Sequence, residues 1–123
     1  MLYEETLRES LPSEHGQLRP DLVLLGLGDD GHTASLFPDT AAVDVRERLF
    51  VANWVVAKNA WRLTATLPLL WAARTIVFLV SGVGKALALS QVLQGGTLAP
   101  AARTMDGAAE VVWMVDRDAA RLL

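Results

Sequence analysis

Cysteine is absent from this 123-residue chain, which excludes a disulfide framework and a thiolate metal site and fits a reducing compartment such as the cytoplasm. Long apolar runs are missing as well. The most apolar stretch, Leu63–Val83, is interrupted by Pro68 and Arg74, so it falls short of the ~20 residues a membrane span needs. The opening residues Met1-Leu2-Tyr3-Glu4-Glu5 carry acid where a signal peptide carries base, and no targeting segment is expected. Basic charge is in deficit: 11 Lys and Arg against 14 Asp and Glu leave a net charge of −3. A phosphate backbone would be repelled on average, so nucleic acid is not an expected partner. Of the two histidines, His15 lies in a proline- and glycine-bounded polar loop and reads as solvated, whereas His32 follows the carboxylates Asp29 and Asp30. No second histidine stands at metal-ligand spacing, and no resident metal or cofactor is expected.

What is abundant is apolar residues, 52% of the chain, with a mean hydropathy of +0.31. Such richness fits a parallel sheet buried on both faces, or a piece whose core is completed elsewhere. The length allows one domain, residues 1–123, and no repeat or linker divides it. The spacing of Tyr3, Leu7 and Leu11 predicts a helix over Leu2–Ser10 that Pro12 stops. A polar loop (12–20) precedes a buried parallel strand, Leu22–Leu27. Thr33–Phe37 reads as one helical turn closed by Pro38, and 39–48 as a charged connector. Phe50–Val56 and Arg62–Leu67 are β-rich, and Pro68–Ala73 reads as a short helix with proline in its first turn. Thr75–Val80 and Val111–Val115 are apolar strands. Between them lies a helix, Lys85–Gln94, with Ala86, Leu89 and Leu93 on one face and Gly95-Gly96 as its cap. Asp116 is placed to cap a last helix, Arg117–Leu122. The four tryptophans (54, 61, 71 and 113) lie on apolar segments and read as core. Strands alternating with helices predict an α/β fold, Rossmann-like, with a mostly parallel sheet flanked by helices.

Residues 26–38, Gly-Leu-Gly-Asp-Asp-Gly-His-Thr-Ala-Ser-Leu-Phe-Pro, carry the chemistry. They form a loop directly after an apolar strand, where open α/β sheets bind ligands. Asp30 and His32, two residues apart with Gly31 letting the backbone bend between them, can address one cleft as a base oriented by a carboxylate. The alternative is turn chemistry alone, since Asp-Gly is a common bend and His32 can bond locally. Asp29, next to Asp30, reads as solvated loop. After the strand Thr75–Val80, Ser81-Gly82-Val83-Gly84-Lys85 opens a helix. Gly82 and Gly84 let backbone N–H groups approach an anion, and Lys85 adds a positive charge. Leu79 and Ala86 exclude a nucleotide P-loop, and a plain strand-to-helix turn is the alternative. Arg62, inside an apolar β-rich segment, needs a counter-anion if buried; otherwise it is an edge-strand arginine with its head in water.

The string through Phe37-Pro38 resembles the signature of the 6-phosphogluconolactonases, within the wider sugar-phosphate isomerase and deaminase group. Amino-sugar-phosphate deaminases share Asp-Gly-His but continue differently from Ser35-Leu36-Phe37-Pro38. The resemblance extends over the whole chain, through Pro100-Ala101-Ala102 and Trp113-Met114-Val115-Asp116, and corresponds to the C-terminal half of a lactonase. It implies hydrolysis of 6-phosphogluconolactone to 6-phosphogluconate in the pentose phosphate pathway, with His32 activating water, Asp30 assisting, and Arg62 and Lys85 on the substrate phosphate. Relatives carry Pro-Pro before the matching arginine where this chain has Asn59-Ala60. They also carry an N-terminal portion with a Ser/Gly-rich phosphate loop, which is not found here. The sheet is therefore expected to be incomplete at the N-terminus, and the chain to associate with a complementing N-terminal half or with copies of itself. The alternative function is a non-catalytic fragment that keeps sugar-phosphate binding or an assembly role; an amino-sugar-phosphate deaminase or isomerase ranks below both.

Overall fold

A computed structural model describes residues 2–123. In chain order the elements are α1 (Leu2–Ser10), β1 (Ser13–Glu14), β2 (Gln17–Leu18), β3 (Leu22–Leu25), β4 (Phe50–Val55), β5 (Ala60–Ala65), α2 (Leu67–Ala72), β6 (Thr75–Val80), α3 (Ala86–Gln94), α4 (Pro100–Arg103) and β7 (Val111–Val115). Three strands form a parallel sheet in the order β3-β6-β7. The pairs β1–β2 and β4–β5 are separate antiparallel ribbons. The expected α/β class with a parallel sheet and flanking helices is what is found.

Side chains alternate across a strand, and the register therefore sorts the sheet into two faces. Val23 and Leu25, Ile76, Phe78 and Val80, and Val111, Trp113 and Val115 look to one side. There they join Leu67 and Leu70 of α2, Leu89 and Val92 of α3, Ala101 of α4 and Leu36 in a single buried cluster. Phe78 and Trp113 stack within it at 3.9 Å between ring centroids.

The opposite face carries Leu22 and Leu24, Val77 and Leu79, and Val112 and Met114. Nothing among the described residues covers it: Leu24 is 61% and Met114 57% exposed. The expectation of a fully buried β3 is thus corrected. The strand ends at Leu25, lies at the sheet edge and is packed on one side only.

Other local readings change for equally local reasons. Thr33–Phe37 is not helical: Ala34 has φ +50°, and the Leu36 N–H bonds the Thr33 carbonyl at 2.9 Å, closing a tight turn. The polar loop 12–20 contains the β1–β2 hairpin, turned by His15 and Gly16 at positive φ. In the second β-rich run the strand is Ala60–Ala65, and Leu67 already belongs to α2. The inward stripe of α3 is Ala86, Ala88, Leu89 and Val92, which leaves Leu93 at its rim. Residues 117–122 form turns, not a helix. Trp54 and Trp61 are surface residues, packed edge-to-face on each other across the β4–β5 ribbon, whereas Trp71 and Trp113 do pack against the core. Helix α1 buries no side chain. It is held instead by Glu4, which accepts hydrogen bonds from Arg48 Nε and from the backbone N–H groups of Leu49 and Phe50. No helix among the described residues is long and apolar enough to cross a membrane.

Candidate active site

The carboxyl ends of β3 and β6 open into two loops, 26–38 and 81–85, and the candidate residues sit on them. Loop 26–38 is pinned by buried polar groups that compensate its missing ladder bonds. The Thr33 hydroxyl donates to the Gly26 carbonyl at 2.8 Å. From β4, buried Asn53 donates to the Ser35 carbonyl and to Thr40 Oγ1, and accepts from the Ala42 N–H. From β5, Thr64 Oγ1 accepts from the Ser35 N–H. The antiparallel ribbon thus serves as a clamp for the loop.

Within it, Asp30 Oδ1 lies 2.5 Å from His32 Nδ1 and accepts the His32 backbone N–H at 3.0 Å. Burial acts to raise the Asp30 pKa, but the ring and backbone bonds from His32 outweigh it and hold the carboxyl below the ordinary aspartate value. Asp30 is therefore ionised at neutral pH and accepts the proton of Nδ1. That tautomer leaves the lone pair on Nε2, which has no hydrogen-bond partner among the described residues. The ring stacks on Phe37, with centroids 4.1 Å apart.

Gly28 closes the other side, and it is a functional position that the motif alone did not single out. A Cβ there would lie 1.9 Å from His32 Nδ1 and 2.1 Å from Cε1, so only glycine leaves room for the imidazole. Gly28→Ala is accordingly expected to keep the fold but displace the ring. Turnover should fall about 10²-fold, the cost of an ~1 Å misplacement. Steady-state kinetics beside a circular-dichroism melt checks this, and wild-type kcat in the variant would refute it.

The remaining predicted residues separate. Gly31 has φ +82°, a conformation that suits glycine, and a Cβ on it would lie 2.5 Å from the Ala99 side chain. Its carbonyl accepts the Ala101 N–H, tying the site loop to α4. Lys85 joins the site: its Nζ lies 2.9 Å from Asp29 Oδ1. A shallow cleft of about 320 Å³ is lined by Gly28, Asp29, Asp30, His32, Phe37, Lys58 and Lys85. Lys58, which follows β4 just before the left-handed Asn59, is a second cation in the cleft. No pattern in the sequence marks it, because only the ribbon's return brings it there. The Gly82 N–H and the Ser81 hydroxyl are taken by Asp116, which also accepts from the Ala119 N–H. Those bonds hold the Asp116 carboxyl below its usual range, the Ala119 N–H foremost. Gly84 is exposed with open space around it. Arg62 is exposed on β5, opposite Asn53, with no ion pair among the described residues. Nor do three His, Asp or Glu side chains gather among those residues to hold a metal ion.

A second cleft, about 350 Å³, runs from His32 and Lys85 to Leu24. The site therefore opens onto the uncovered face of the sheet.

The sequence profile described as glucosamine-6-phosphate isomerases/6-phosphogluconolactonase matches residues 1–113. A 6-phosphogluconolactonase of Synechocystis sp. is 41% identical over 120 residues, which are 95% of this chain and 49% of that protein. The human 6-phosphogluconolactonase is 42% identical over 106 residues, 84% of this chain and 41% of its own length. The solved 6-phosphogluconolactonase of Trypanosoma brucei superposes with a TM-score of 0.83 at 29% identity, over 99% of this chain and 51% of that one. The chain thus spans about half the length of the proteins it matches. A shared profile over nearly the whole chain and a shared backbone lead to one conclusion: this chain belongs to the glucosamine-6-phosphate isomerase/6-phosphogluconolactonase family.

Proposed function

We propose that the chain supplies the water-activating part of a 6-phosphogluconolactonase, opening 6-phosphogluconolactone to 6-phosphogluconate. The observation that carries this reading is the Asp30–His32 pair, with Nδ1 committed to the carboxylate and Nε2 left unpartnered. Nε2 takes a proton from water as its oxygen bonds to the lactone carbonyl carbon. The tetrahedral intermediate then collapses, the bond to the ring oxygen breaks, and the imidazolium returns the proton to that oxygen. The products are one carboxylic acid and one hydroxyl, so atoms and protons balance. Ionised Asp30 stabilises the imidazolium between the two steps, as expected of a carboxylate on a catalytic histidine.

Lys85, which lines the cleft, is assigned to the phosphate, which lies away from the reacting carbonyl; Arg62, outside that cleft, is assigned to it by its place in the family motif alone. Such contacts bind ground and transition states alike, so loss of either side chain should raise KM more than it lowers kcat. The effect should shrink at high salt, because screening weakens the same contact in the wild type. An unchanged KM for the phosphorylated lactone in Lys85→Ala would remove that residue from the phosphate site.

The uncovered sheet face supports a partner reading as well. We take it as the seat of a complementing half like that of the longer relatives, which would also wall the open side of the cleft at Leu24. The same openness favours a second reading, a sugar-phosphate-binding module without turnover. Hydrolysis above the spontaneous rate separates the two.

A further inference from the structure

We infer that Asp29 competes with the substrate phosphate for Lys85 and so sets how tightly the site holds phosphate esters. The inference rests on Lys85 being a phosphate ligand. Asp29 and Lys85 come from the loops after different strands, β3 and β6, yet their side chains meet at 2.9 Å in the cleft that His32 lines. The two acids of the Asp29-Asp30 pair are held very differently. Asp30 is bonded to both the ring and the backbone of His32. Asp29 makes no other side-chain hydrogen bond among the described residues, and its side chain is 78% exposed against 33% for Lys85. It is free to swing into solvent, whereas the ammonium stays on the rim of the cleft.

A phosphate dianion arriving at Lys85 would meet the Asp29 carboxylate at close range and repel it. Binding therefore includes breaking the Asp29–Lys85 pair, and release includes re-forming it. The returning carboxylate helps expel a phosphorylated product. An exposed ion pair of this kind is worth a small factor, about two- to fivefold in affinity. Asp29 thereby trades affinity for release, and neutralises Lys85 while the site is empty.

The test is a double-mutant cycle on binding, with inorganic phosphate and 6-phosphogluconate as probes and calorimetry or NMR shifts as the readout. Asp29→Asn is expected to tighten both about two- to fivefold, and product inhibition should strengthen by the same factor. In a Lys85→Ala background the Asp29 substitution should have no effect. Unchanged or weaker binding in Asp29→Asn overturns the inference and makes Asp29 a support for Lys85 or a bystander. If Lys85→Ala alone leaves phosphate binding intact, the phosphate assignment itself fails, a result separable from the first. Asp29 is exposed and unpacked, so the variant's fold, checked by thermal melt, is expected to match the wild type.

Discussion

His32→Ala is expected to reduce lactone hydrolysis about 10²–10⁴-fold, the usual contribution of a positioned general base, in any active form of the protein. The ring supplies both proton transfers of the proposed reaction, and no other histidine or cysteine lies in the cleft to replace it. The fold should survive. The imidazole is partly exposed and touches mainly Phe37 and Asp30, so its loss removes little core packing. Asp30→Asn should fall between wild type and His32→Ala: it keeps the geometry of the pair but loses the charge that selects the Nδ1–H tautomer. The pH dependence has a definite sign. Because the folded state lowers the Asp30 pKa, its ionised, stabilising form is present above the ordinary aspartate pKa and is lost as pH falls through the lowered value. A kcat near wild type in His32→Ala would end the base assignment.

The second large effect concerns the chain by itself. Leu22, Leu24, Leu79 and Met114 stand more than half exposed on one sheet face. Covering the exposed half of each is worth about 1 kcal/mol, so roughly 3–6 kcal/mol for the four, an upper estimate. That is a large fraction of the ~5–15 kcal/mol by which domains are stable. A face-to-face pair of copies buries two such faces, roughly 6–12 kcal/mol, which exceeds the lower end of association costs, about 4 kcal/mol. The purified chain is therefore expected to self-associate reversibly or aggregate through this face, and to show hydrolysis that is weak or absent. Leu24→Lys with Met114→Lys should shift sedimentation toward monomer. The same pair of substitutions should impair any complementation by the N-terminal half of a longer relative. A compact wild-type monomer with full turnover would show that the face needs no cover and that these residues build the site unaided.

The unbroken apolar runs of β6 and β7 were enough to place those strands to the residue, and an apolar stripe with the helix's own period located α3; α2 was marked by its first-turn proline, and α1 by residue spacing and Pro12 although it buries no side chain. The Asp30-Gly31-His32 spacing was enough to nominate an oriented base, because residues two apart on a bend are neighbours in any fold. Three things were decided only by tertiary packing. Gly28 matters because the turn of loop 26–38 folds the His32 ring back over it. Asp29 and Lys85, and likewise Ser81, Gly82 and Asp116, meet because parallel pairing of β3, β6 and β7 brings their following loops to one edge. The two faces of β3 read as equally apolar along the chain, and only the position of α2, α3 and α4 determines which is buried and which is left bare. Local pattern encodes what a segment can bury; which partner buries it, and which charge answers which, depends on contacts between residues far apart in the chain.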